Sequence, residues 1–188
     1  KLGFETYVPL GYIRMGRNCY GPDGVANFRR QVLSDLVPLV DKVKAAQAKR
    51  IGLTGDFKFY DDLFTFKDGN AVPQGTPEEL LASAKKMYTE MSPETAEFIK
   101  VMFDNELFDV LSKEGKAAGG YCTDFPLYGY PFIFSNFNGT SGDVDVLTHE
   151  AGHAFAFYTA NKEIPLSDLP SPSLEACATH PMSMEFLT

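Results

Sequence analysis

The chain has no tryptophan and only three histidines, and its three cysteines form no C-x-x-C pair. Lysine and arginine number 17 against 25 aspartates and glutamates, for a formal net charge of −8. An acidic chain of this kind lacks the basic footprint that a phosphate backbone attracts, which excludes a nucleic-acid-binding class. No apolar run approaches the roughly 18 to 20 residues of a membrane span, so no membrane role is expected. An odd number of scattered cysteines (Cys19, Cys122, Cys177) supports neither a disulfide framework nor a cysteine zinc site, and they read as buried free thiols. There is no internal repeat, low-complexity tract or long linker, and Lys1-Leu2-Gly3-Phe4 opens no signal-peptide pattern. A cytoplasmic location is therefore expected. What remains is 188 residues, 44% hydrophobic and 22% charged, enough for one globular domain with a real core.

Residues 24–50 carry Val25, Phe28, Val32, Leu36, Leu39, Val40 and Val43 near helical spacing, which predicts an apolar-faced helix kinked at Pro38. Residues 51–75 read as an irregular connector, in which Phe57–Tyr60 and Leu63–Phe66 are candidate short strands. Thr76-Pro77-Glu78-Glu79 and Ser92-Pro93-Glu94 start two helices, the first by a capping box. The second is expected to run to a stop near Gly115. The aromatic stretch Pro131–Phe137 has the content of a strand. After the turn Gly139–Asp143, a helix is expected from about Val144 to Ala160, and a last one from Ser173.

The sharpest feature is His149-Glu150-Ala151-Gly152-His153, inside that predicted helix. Residues four apart leave the same helix face, so both imidazoles can share one metal while Glu150 stands ready to take a proton from a bound water. Zinc suits the set, because it accepts imidazole nitrogen and acidifies its water. Chance arrangement of this composition yields about 0.003 such motifs per chain. The small Ala151 and Gly152 let another element pack closely. A catalytic zinc normally takes three protein ligands, so a third should arrive from the following helix. The candidates there are Glu175, Glu185 and, less usually, His180, and spacing alone favours Glu175.

From Gly119 to Phe186 the chain resembles the oligoendopeptidase F group of the thimet-oligopeptidase family of zinc metallopeptidases. The carrying residues are Gly-Gly-Tyr-Cys-Thr at 119–123, Pro-Phe-Ile-Phe-Ser-Asn-Phe-Asn-Gly-Thr-Ser-Gly-Asp at 131–143 and Asp-Val-Leu-Thr-His-Glu-Ala-Gly-His-Ala-Phe at 145–155. Leu174–Cys177 and Met182–Phe186 fit as well, and Gly11–Arg17 is compatible.

The resemblance implies a mostly α fold with a small β-sheet, zincin-like, whose H-E-x-x-H helix lies next to an edge strand. It implies a zinc endopeptidase for short oligopeptides, with His149 and His153 on Zn²⁺ and Glu150 as general base. The strand at 132–137 would pair with the peptide backbone. Residues 1–188 would then be part of a catalytic domain, truncated at both ends, without the downstream Tyr and His that steady the oxyanion. One departure stands out. The family's third ligand is a glutamate two places before His180, where this chain has Ala178. Glu175 is kept as a substitute ligand, and the alternative is a degenerate peptide-binding or structural relative.

Overall fold

The computed structural model describes residues 3–188, which form two compact units, one ending at Ala71 and one spanning Val72–Thr188. The first contains helices α1 (Tyr7–Arg14), α2 (Pro22–Gln31) and α3 (Val37–Ile51). Helix α2 runs into α3 through a π-helical turn, Val32–Leu36, in which the Val37 N–H reaches the Val32 carbonyl. The kink expected at Pro38 takes this form for a physical reason. Proline has no N–H for the carbonyl of Ser34, and its ring presses on that turn, so the turn ahead of it widens. Helix α3 stops at Gly52, which takes the left-handed conformation (φ 75°) that favours glycine.

The candidate strands in 51–75 are not formed. Instead the carbonyls that a ladder would use are taken by side chains of α3 and of the loop itself. The buried Gln47 amide donates to Asp62 O (3.0 Å) and Phe64 O (2.8 Å), Arg50 to Thr65 O (2.6 Å) and Asn70 to Leu63 O (2.6 Å). The apolar stripe on residues 24–50 is largely exposed, with Phe28, Leu36, Leu39, Val40 and Val43 all in that class.

The second unit holds α4 (Pro77–Met91), α5 (Pro93–Asp104), β1 (Phe108–Leu111), β2 (Tyr121–Phe125), β3 (Tyr130–Phe137), α6 (Gly142–Glu163) and α7 (Leu174–Leu187). Both predicted helix starts are capping boxes. Thr76 Oγ1 accepts from Glu79 N while Thr76 N donates to the Glu79 carboxylate, and Ser92 and Thr95 repeat the pattern. Helix α5 ends at Asp104, about eleven residues before the stop expected near Gly115. The chain turns at Asn105 and Glu106, the latter with φ 53°, and Leu107 N closes onto Met102 O at 2.9 Å. Phe108 and Leu111 then belong to β1, which pairs in parallel with β3.

The sheet order is β1-β3-β2, with β2 antiparallel to β3. The aromatic strand is therefore central. The expectation that 132–137 offers an edge to a peptide is overturned, because β1 and β2 occupy both of its sides; the edge beside it is that of β2. Burial on β3 alternates strictly, so Ile133 and Phe137 enter the core with Tyr88, Phe98, Ile99 and Met102 of α4 and α5. Leu147, Ala151, Ala154 and Tyr158 complete it from α6. Full burial of each large apolar side chain is worth roughly 1.5–3 kcal/mol, so this shared core is what fixes α6 on the sheet.

Candidate functional site

Helix α6 is anchored at its first turn. The buried Asp143 carboxylate accepts from Asn138 N (2.9 and 3.1 Å) and Gly139 N (2.7 Å), tying the helix start to the end of β3. An acidic group there also faces the positive end of the helix dipole. Helical periodicity then sorts the side chains. Leu147, Ala151 and Ala154 face the core, and Glu150, one turn from Leu147 and from Ala154, is buried on the same side. His149 and His153 lie at the margin of that face, half-buried, with ring centroids 5.0 Å apart and planes inclined at 76°.

Burial raises the Glu150 pKa above the ordinary carboxylate range. The positive charge of His149 and a hydrogen bond from the Cys122 backbone oppose that shift. His153 is moved the other way: burial lowers its pKa, and the charges of His149 and His180 lower it further. The site therefore combines a carboxyl biased toward holding a proton with an imidazole biased toward giving one up. Glu150 is also tied to β2 through Cys122. Among the three free cysteines, Cys19 is exposed and the other two are partly buried, so the expectation of buried thiols fails at Cys19.

Helix α7, capped by Ser173 on Ala176 N (3.4 Å), packs on α6 at close range. A Cβ on Gly152 would fall 2.4 Å from Pro181 Cα and 3.1 Å from both His180 O and Met184 Cβ. Only glycine permits this approach, and it brings Glu185 Oε1 into contact with His149 Nδ1. Spacing alone ranked Glu185 behind Glu175. The signal that could have reversed the order is Gly152 itself, since it marks where α7 crosses and hence which residue of α7 reaches His149. Glu175 sits at the opposite end of α7 from Glu185, partly buried.

His149, Glu150 and His153 are thus assembled by one helix turn. Among the described residues, however, no three His, Cys, Asp or Glu side chains gather into a set that could hold a metal ion. Two imidazoles suit zinc, but a catalytic zinc takes three protein ligands and a water. Ala178 offers a methyl group and is exposed. The donor set therefore does not fit a complete catalytic zinc site.

The described fold is mostly helical with a small mixed sheet, and comparison with known proteins identifies its class. The chain belongs to peptidase family M3, whose family model matches residues 73–188. It is similar to the crystal structure of an oligoendopeptidase F (49% identity, TM-score 0.92, covering 99% of this chain and 33% of that one). A PZ peptidase A bound to an inhibitor is also similar (50% identity, TM-score 0.92, 98% and 33%). So is an oligoendopeptidase F from Bacillus anthracis (49% identity, TM-score 0.93, 98% and 34%). This chain spans about a third of the length of these solved structures. No curated protein matches it.

Proposed function

We propose that this chain is the H-E-x-x-H-bearing part of an oligoendopeptidase catalytic domain, acting in the intact protein on short oligopeptides, with zinc as the metal implied by its family. The observation that carries the reading is Glu150. It is a carboxyl buried to 8% exposure beside two imidazoles, and burial biases it toward the protonated form. A group so poised can accept a proton from a water at the site and return it to a leaving amine, the work of a general base that becomes a general acid. The substrate backbone would add along the outer edge of β2, which borders Cys122 and hence Glu150.

A second reading, a catalytically degenerate relative that binds peptides without cleaving them, is favoured by one observation: the missing third donor. Cleavage of a quenched fluorescent oligopeptide, with and without chelator, separates the two. Chelator-sensitive cleavage that Glu150→Gln abolishes supports the hydrolytic reading. Peptide binding without cleavage supports the degenerate one.

A further inference from the structure

Glu185 is a charged residue of α7 to which the proposed function gives no role, yet its carboxylate meets Nδ1 of His149. Both side chains are 35% exposed, so water screens the pair only in part. Glu185 is also held in place from below. Its neighbour Met184 is buried, and Pro181, one helical turn earlier, is fully buried; both pack against Gly152 of α6. The backbone that carries the carboxylate is therefore fixed relative to the backbone that carries the imidazole.

An ionised carboxylate has acceptors only, and a neutral imidazole has one N–H and one bare nitrogen. The contact is thus a hydrogen bond of neutral His149 only when the ring proton sits on Nδ1. A fixed partner at one ring nitrogen decides the state of the other, so Nε2 is left with a free lone pair. A carboxylate behind an imidazole also fixes the ring plane and raises the basicity of the far nitrogen.

We infer that Glu185 is a positioning residue that holds His149 in its Nδ1–H tautomer and so presents Nε2 unprotonated to the site. It acts through the histidine, and its carboxylate is spent there, although spacing had made it a candidate third donor. The inference rests on the proposed function in taking the His149 ring as a working part of the site, and its test reads the ring itself and not turnover.

The experiment is long-range ¹H–¹⁵N correlation NMR of the imidazoles, which tells the two tautomers apart. It uses the whole chain after chelator treatment, about two pH units above the usual histidine pKa of ~6.5, where the rings are neutral. The chain has three histidines, so His153→Asn and His180→Asn are enough to assign the signals. Wild-type His149 should show the Nδ1–H pattern. Glu185→Ala should lose it, with the proton moving to Nε2, whereas Glu185→Gln, whose side-chain oxygen still accepts, should keep it. A Glu185 that served packing alone would leave the tautomer of Glu185→Ala unchanged. Wild-type His149 in the Nε2–H form overturns the inference, as does a folded Glu185→Ala that retains the Nδ1–H pattern. Should Glu185→Ala fail to fold by circular dichroism, the wild-type tautomer alone decides: Nε2–H refutes and Nδ1–H supports. Peptide cleavage is scored separately. An Nδ1–H ring in a chain that cleaves no peptide would sink the hydrolytic reading and leave this inference standing, and chelator-sensitive cleavage by a chain with an Nε2–H ring would do the reverse.

Discussion

Gly152→Ala is expected to destabilise the protein although alanine is the better helix former. The new Cβ would lie 2.4 Å from the Cα of Pro181, and non-bonded carbons rest at about 3.5–4.0 Å. Relief therefore requires a local separation of more than about 1 Å. The obstructing atom is backbone within α7, at a proline that is itself fully buried, so no side chain can swing aside. Overpacking of this kind costs about 1–3 kcal/mol, against a helix-propensity gain of up to about 1 kcal/mol. The net expectation is a loss of about 1–2 kcal/mol, accompanied by loosening of the Glu185 contact with His149. Urea denaturation followed by far-ultraviolet circular dichroism measures it. Gly142→Ala on the same helix is the control, because there the nearest atom, Thr140 Oγ1, lies 3.4 Å away and the change should be small. If Gly152→Ala proves as stable as the wild type while Gly142→Ala behaves normally, the close approach of the two helices is wrong.

Thr76→Ala removes the acceptor for Glu79 N at the start of α4 and should cost about 1 kcal/mol; an unchanged urea midpoint would mean that the capping box contributes nothing. Cys122 supplies a pH test. Burial first, and the Glu150 charge second, raise its thiol pKa in the folded chain, so that above pH ~8.5 the unfolded chain ionises while the folded chain does not. The contribution is complete below that pH and is lost as pH rises through the alkaline range. Cys122→Ala should flatten the fall in urea midpoint between neutral and alkaline pH; identical slopes in the two proteins would refute the assignment.

Local chemistry explains what could be read along the chain. The starts of α4 and α5 are written in four contiguous residues each, because a capping box closes within one turn. The H-E-x-x-H pair is legible for the same reason, its geometry being that of a single helix turn. Leu107, Phe108 and Leu111 misled because three apolar residues fit a helix face as well as they fit a short strand. What decides between the two is Glu106 in the left-handed region and a parallel partner, β3, more than twenty residues later. The same non-locality hid the place of β3 in the sheet. Aromatic content signals a strand, but its central position depends on β1, which had been assigned to a helix.

The candidate site divides along that line. The half built by α6 is visible in sequence, whereas the half contributed by α7 depends on where two helices cross. A proline in the middle of a helix and a glycine in the middle of another are each unfavourable alone. Placed face to face, they are complementary: Gly152 removes the side chain that Pro181 would strike, which lets α7 cross α6 at that point. That crossing puts Glu185, not Glu175, on His149. The two unfavourable residues therefore specify the geometry of the site more tightly than any of the residues that would do its chemistry.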